Sequence, residues 1–370
     1  MATSDIWKPK YEITNSIANA LTRIEAARVV VETASLPPWA LAELSRQARI
    51  RATHYSTRIE GNRLTLEEAG EAITARRRVF HGRERDVAEV RNYWDALTRV
   101  EEWAARRRPI TEDLIKRIAG TVINGKRSGP AAYRDGQNVI RDSSTGGIVY
   151  MPPEASDVPG LMAEMVRWIR QSEAARSPVV LVAALAHYQF VTIHPYYDGN
   201  GRTARLLATF ILHTGGYGLG GILSLEEYHS RDIEAYYSAL EVGGHHNYYM
   251  GRNNADLTSW IEYFVETLST ALEAVKKEAL KYSGSTLVSE PEELRRLDYR
   301  AKTVLALFAR QEQITSVDVA VALGLSERMA RISLSEWVSD GWIVVTNPSR
   351  RSRRYGLRED LLSYVNRLEH

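Results

Sequence analysis

From Pro37 to Tyr282 nearly every stretch of the chain repeats apolar residues at helical spacing, a pattern that is satisfied by packing helix faces against one another. Pro37 and Pro38 suit a first helical turn, and WALAELSRQARIRATHYSTRIE keeps helix formers until Gly61 and Asn62 stop it. Thr65 and Glu68 have capping-box spacing, which predicts a second helix running to about Arg78. Further helices are expected over about 85–105, 111–124, 156–172, 178–192, 201–213, 230–242 and 256–282. One run breaks the pattern. In QNVIRDSSTGGIVYMPP, β-branched residues flank Ser143 to Gly147, so Val139–Arg141 and Ile148–Tyr150 read as a short hairpin, marginal alone and suited to a flap beside a site.

A chain of 370 residues exceeds what one core usually serves, and 44% apolar with 25% charged residues is ordinary globular composition. The polar stretch KYSGSTLVSEPEELRRL, with Gly284 and Pro291, reads as a linker. The division expected is a helical region over 1–84, a core over 85–282, a linker over 283–297 and a separate domain over 298–370. In that last part YRAKTVLALFAR, ITSVDVAVALG and SERMARISLSEWVSDG read as three helices, followed by two β-rich runs around Asn347 and Pro348, the order of a winged helix. Forty-eight Lys and Arg against 46 Asp and Glu leave a net charge of +2, so any basic face must be local. The absence of Cys excludes disulfide scaffolds, Fe–S and thiolate zinc sites and Cys nucleophiles, and fits a reducing compartment. No apolar run approaches a membrane span and MATSDIWKPKYEI carries no signal peptide, so a cytoplasmic protein without membrane contact is expected.

The chemistry concentrates in HYQFVTIHPYYDGNGRTARLLATFIL. A helix ends, a short loop carries His194 to Asp198, and Gly199, Asn200 and Gly201 lead into the next helix. Glycines let backbone N–H groups turn inward, and a helix N-terminus adds positive partial charge, so the loop suits an anion. Arg202 and Arg205, three residues apart, favour a polyphosphate over a single carboxylate. Asp198 is an oxygen ligand suited to Mg²⁺ on phosphates, and His194 has the ordinary pKa of a general base near neutral pH. Gly199, Gly201 and Ala204 also fit GxGxxA, and Gly216, Gly218 and Gly221 fit GxGxxG, but helices precede both, and the dinucleotide-binding context fails. No P-loop is present.

HPYYDGNGRTAR resembles the signature of Fic-domain proteins, HxFx[DE]GNGRxx[R], at His194, Asp198, Gly199, Asn200, Gly201, Arg202 and Arg205, with Tyr196 in the usual Phe place. The resemblance runs from about Ser56 to about Leu268. It implies a mainly α fold, a helical core with the hairpin as its flap, and transfer of AMP from ATP to a Ser, Thr or Tyr hydroxyl of a target protein. By the same resemblance His194 deprotonates that hydroxyl and Asp198 holds Mg²⁺ on the α- and β-phosphates. Asn200 and the glycine amides cradle them, while Arg202 and Arg205 bind the phosphate tail. Tyr236 and Tyr237 on the next helix are candidates to wall the adenine pocket. Tyr196 keeps the aromatic body and is expected to do little damage.

Glu60 lies in the last turn of its helix, where the helix dipole disfavours negative charge by roughly 0.3 to 1 kcal/mol. Ser56-Thr57-Arg58-Ile59-Glu60-Gly61 resembles the inhibitory motif [ST]xxxE[GN] of the same family, which implies that Glu60 pairs with Arg205, takes the γ-phosphate position and leaves ATP misaligned, with Ser56 helping. The expectation is an autoinhibited protein adenylyltransferase that also modifies itself. Removal of AMP by a water oriented on Glu60, and a DNA-binding regulator whose Fic domain senses nucleotide, are the alternatives. The target is expected to dock on the flap over 138–151. In the C-terminal part Ser326 reads as an N-cap, Ala330, Leu334, Trp337 and Val338 as a buried stripe, and Arg328 and Arg331 as outward-facing. Arg350, Arg351, Arg353 and Arg354 form a cluster able to contact DNA phosphates, a protein partner being the other reading, and self-association is compatible with both.

Overall fold

The computed structural model describes residues 7–34, 36–74, 81–141, 146–243, 246–282, 297, 299–309, 311–323, 325–349, 353–359 and 361. The hairpin tip at 142–145, most of the linker, and Arg350 and Arg351 lie outside the described residues.

The core is helical. Its centre is α7 (Val179–Ile193), whose sequence is apolar all round and which is buried on nearly every side, as such a helix must be. Around it stand α4 (Glu84–Ala105), α5 (Glu112–Asn124), α6 (Val158–Ala174), α8 (Asn200–Leu212) and α11 (Thr258–Tyr282), sharing one hydrophobic core. The helix expected over about 230–242 is α10 (Ile233–Leu240), and a short helix that sequence reading did not delimit, α9 (Leu225–Arg231), precedes it. The break falls at Asp232, whose carboxylate accepts a hydrogen bond from Ala235 N at 2.8 Å and so starts α10 instead of continuing α9.

The N-terminal region opens with α1 (Asn15–Thr33), a helix that sequence reading did not delimit. Its buried stripe is Ile17, Ala20, Ile24, Ala27 and Val31, at alternating spacings of three and four, and Thr14 caps it. Alanine at two of the five positions lets α1 approach α11 closely along its length, with Thr14 bonded to Glu262 at 2.6 Å and Arg23 to Ser269 at 3.1 Å. Next comes α2 (Pro38–Ile59), then α3 (Leu66–Thr74), started by the expected capping box: Thr65 N donates to Glu68 and Glu68 N to Thr65.

The hairpin pairs β1 (Ile140–Arg141) with β2 (Ile148–Tyr150), antiparallel, with Ile140 opposite Tyr150. Tyr150 donates to Thr192 O at 2.7 Å, which pins β2 to the end of α7. The segment 246–248 covers the far end of β2, where Met151 N donates to His246 O at 2.7 Å and Tyr248 N to Met151 O at 3.0 Å.

The C-terminal part has its own apolar core, including Val304, Phe308, Leu334, Trp337, Trp342 and Tyr355. It is built from α12 (Tyr299–Leu305), α13 (Ser316–Leu323), α14 (Glu327–Ser339) and the antiparallel pair β3 (Ile343–Asn347) and β4 (Arg354–Leu357). Its first helix, α12, packs on α2, and Arg300 lies 3.8 Å from Glu102 of α4. No helix among the described residues is long and apolar enough to cross a membrane.

Candidate active site

The end of α7 and the start of α8 bring the chemistry together. His194 closes α7 with a left-handed φ of 51°, uncommon for a residue with a side chain, and Gly199 opens α8 with φ 78°. Asn200 stitches the loop between them shut: its Oδ1 accepts from Tyr196 N at 3.0 Å and its Nδ2 donates to Tyr196 O at 2.7 Å. The Asn200 side chain is therefore committed to the loop, and its contribution to an anion cradle reduces to its backbone N–H at the helix N-terminus. Arg134, which sequence reading missed, holds the loop from the other side. Its backbone N donates to Pro195 O at 2.9 Å, and its buried guanidinium donates to His194 O at 3.0 Å, Gly136 O at 3.0 Å and Pro153 O. Nothing in the local sequence YRDGQN marks it, because the carbonyls through which it holds the loop, those of His194, Pro195 and Pro153, are distant in the chain.

The His194 tautomer follows from its neighbour. Nδ1 faces Val191 O at 3.3 Å, and a carbonyl only accepts, so Nδ1 carries the proton and Nε2 the lone pair. Burial pushes the imidazole pKa down to about 4, against smaller opposing effects of Val191 O, Glu60 and Asp198, so the ring stays neutral across the physiological range.

Asp198 is 56% exposed at its side chain, and its Oδ1 accepts from Arg202 at 2.8 Å and from Gly199 N at 2.6 Å. Its Oδ2 accepts no hydrogen bond among the described residues and is the oxygen open to a cation. Among those residues no cluster of three or more acidic or histidine side chains forms a ready metal cage. A single open carboxylate beside a phosphate site is the donor set that Mg²⁺ uses when substrate oxygens and water complete its shell. Arg202 is buried, and its Nε has no partner there. An unpaired buried donor costs about 1 to 3 kcal/mol.

Arg205 is buried and fully engaged. Nε donates to Ser56 Oγ at 2.8 Å, and Nη2 donates to Ser56 O at 2.9 Å and to Glu60 Oε1 at 2.8 Å. Ser56 and Glu60 are one helical turn apart on the last turns of α2, so one helix end presents a hydroxyl, a carbonyl and a carboxylate to one guanidinium. Gly201 makes room for this: a Cβ there would lie 2.3 Å from Glu60 Oε1 and 3.1 Å from Arg205 Nη1.

The two tyrosines of α10 separate. Tyr236 is buried, its hydroxyl 3.0 Å from His187 Nε2 and 3.4 Å from Arg205 Nη1, while Tyr237 is 44% exposed and donates to Ile59 O at 3.1 Å. Tyr196 packs its ring on Tyr133 and Phe190, but the hydroxyl it adds is buried without a partner among the described residues. Cavities of about 870 and 670 Å³ lie between the core and the C-terminal part, and neither touches His194.

Residues 109–212 match the family model described as Fic/DOC family. The proteins named Protein adenylyltransferase Fic from Drosophila sechellia and Drosophila melanogaster are each 30% identical to this chain over 184 residues, 48% of this chain and 35% of theirs. The chain thus spans about a third of the length of these relatives. Among solved structures, a Fic family protein from Desulfovibrio desulfuricans is similar over 95% of this chain and 99% of its own, with 28% identity and a TM-score of 0.59. A Fic domain containing signaling protein from Bacteroides thetaiotaomicron shares the fold over 75% of this chain and 100% of its own, with 24% identity and a TM-score of 0.60.

Proposed function

We propose, from the match of residues 109–212 to the Fic/DOC family model, that these residues form a Fic domain and that the protein transfers AMP from ATP to Ser, Thr or Tyr hydroxyls of target proteins, itself included, with Glu60 holding it at low activity. The observation that carries the reading is the single loop that gathers a neutral His194, the open Asp198 carboxylate and the N-terminus of α8 with Arg202. In the reaction the target hydroxyl oxygen bonds to the α-phosphorus as the bond to the pyrophosphate oxygen breaks. His194 Nε2 takes the hydroxyl proton and later releases it to solvent. Arg202 and the backbone N–H groups of Asn200 and Gly201 at the start of α8 serve the negative charge that grows on the departing pyrophosphate. Asp198 Oδ2 would hold Mg²⁺, which when bound supplies charge neutralisation on the phosphates. Arg205 serves the γ-phosphate once Glu60 has left it, and the target lies along the hairpin.

Mass spectrometry of the purified protein after incubation with ATP and Mg²⁺ tests the reading. An added mass of one AMP on a hydroxyl residue, absent in His194→Ala, supports it. A chain that stays unmodified together with a Glu60→Gly variant that also stays unmodified overturns it. Glu60 also supports the hydrolytic alternative, since a carboxylate beside the anion site is placed to orient a water. In that case Glu60→Gly loses release of AMP from a pre-modified target while gaining transfer.

A further inference from the structure

Arg205 is held from two directions. Its hydrogen bonds to Ser56 and Glu60 come from α2, whereas its Nη1 donates to the Tyr236 hydroxyl of α10 at 3.4 Å. Tyr236 stands in the first turns of α10, which Asp232 caps, and its ring is 1% exposed among His229, Trp260 and Tyr263. The same phenol oxygen lies 3.0 Å from Nε2 of His187. His187 belongs to α7 and is fully buried, with its ring set edge-on to Trp260 at 5.1 Å.

The protons of this chain follow from donor and acceptor capacity. A guanidinium only donates, so Tyr236 Oη accepts from Arg205. His187 Nδ1 has no partner among the described residues. With the Tyr236 proton directed to Nε2, the Nδ1–H is the group left unpaired. With the proton on Nε2 instead, the Tyr236 proton and the Nδ1 lone pair are both left unpaired, and two donors converge on one oxygen. The first arrangement strands fewer buried groups. Burial holds the His187 pKa well below its ordinary value and raises that of Tyr236, so the imidazole is neutral and the phenol keeps its proton.

We propose that Tyr236 is a positioning residue for Arg205, its hydroxyl oriented by His187, and that the pair keeps the guanidinium in place to receive the γ-phosphate when Glu60 gives it up. Among the described residues this is the hydrogen bond to the Arg205 guanidinium that does not depend on α2. Ser56 and Glu60 share the helix end that carries the inhibitory contact, while Tyr236 and the α7 and α8 helices belong to the core. Without the Tyr236 contact the freed side chain has to be ordered by the phosphate itself, at a loss of affinity.

The proposal rests on the reading that Arg205 serves the γ-phosphate, and a comparison of ATP with ADP keeps the two failures apart. Isothermal titration calorimetry of the full-length Glu60→Gly chain, with Mg²⁺, is expected to show tighter binding of ATP than of ADP. If the two bind alike there, the γ-phosphate role of Arg205 fails and the proposal falls with it. Given that preference, adding Tyr236→Phe is expected to weaken ATP roughly 2- to 10-fold, the range that removal of one hydrogen bond gives, and to leave ADP unchanged. Equal weakening of both nucleotides, the mark of a contact to adenine or of a general structural change, overturns the proposal, as does an unchanged affinity for ATP. His187→Gln, whose amide oxygen accepts the Tyr236 proton, is expected to keep most of the preference for ATP, and His187→Leu to lose it as Tyr236→Phe does. A folded His187→Leu variant with the full preference removes His187 from the arrangement. NMR of protein labelled with ¹⁵N-histidine reads the tautomer without nucleotide: His187 should be protonated at Nδ1 and bare at Nε2, and a proton on Nε2 overturns the assignment.

Discussion

At the scale of single residues, the site balances buried donors against the acceptors available to them. Glu60→Gly takes from Arg205 its only carboxylate at hydrogen-bond distance among the described residues, in a position where the guanidinium has almost no water. A hydrogen bond to a charged group is worth about 1.5 to 3 kcal/mol, an upper range here because the Glu60 side chain is 29% exposed. The variant should therefore melt at lower temperature than wild type without ATP, and recover more stability than wild type when ATP and Mg²⁺ are added, since phosphate then replaces the carboxylate. Differential scanning fluorimetry with and without ATP checks both signs. Tyr196→Phe removes a buried hydroxyl that has no partner among the described residues and should raise the melting temperature by a few degrees with unchanged AMP transfer. The sequence expectation that Tyr196 does little damage concerns transfer, and the same comparison of Tyr196→Phe with wild type tests it. For His194 the sign follows from burial. Its native pKa of about 4 lies below the ordinary value of about 6.5, so the native state binds fewer protons than the unfolded chain between those values. The contribution of His194 to stability is complete above about 6.5 and is lost as pH falls toward 4, and NMR titration of its ring in the nucleotide-free protein should give a midpoint near 4. His194, Asp198 and the two arginines could be read from spacing alone because they are neighbours in the chain. Arg134 could not, because it acts through contacts between segments that only folding brings together.

At the scale of elements, helices with strong stops were legible and their interruptions were not. The ends of α2 and α5 follow from Gly61 and Gly125, both left-handed in the structure. By contrast, α1 hides its stripe in alternating Ile and Ala, which contrasts weakly with its surroundings in sequence yet packs closely in space. The break between α9 and α10 turns on whether Asp232 stays in a helix or caps one, and propensity does not separate those outcomes. The hairpin was legible as two strands, but its attachment was not. Tyr150 ties β2 to α7, and 246–248 covers its far end, which leaves the β1 edge as the one where an added strand could pair. If the target docks there, Ile148→Pro should cut modification of a protein target at least severalfold, by disrupting the pairing with Arg141, while ATP affinity stays unchanged. Parallel assays of target labelling and of ATP binding, with circular dichroism to confirm folding, check this. Equal labelling by the folded variant would remove the hairpin from target recognition.

At the scale of the whole molecule, the C-terminal part leans on the helix that carries Ser56 and Glu60. Met329, Ile332, Ser333 and Glu336 of α14 line the cavity of about 670 Å³ together with Thr98, Glu101 and Glu102 of α4, so one face of α14 looks at the core while Arg328 and Arg331 remain exposed. A duplex meeting this domain would be gripped through the arginines that follow β3. Replacing Arg350, Arg351, Arg353 and Arg354 with Ala should then weaken DNA binding at low salt and reduce the slope of log affinity against log salt by about 0.9 for each phosphate that the variant no longer neutralises. No DNA retention by the wild-type chain at low salt would leave protein contact as the role of this surface. The pairing of Glu60 with Arg205 has a further consequence, which follows from their belonging to one polypeptide. Glu60 acts as a competitor whose local concentration is set by the fold and not by the solution, so it cannot be diluted away. The rate of AMP transfer per molecule should be the same at nanomolar and micromolar protein when self-association plays no part in it. A rate that changes on dilution would mean that a second copy helps to hold α2 in place.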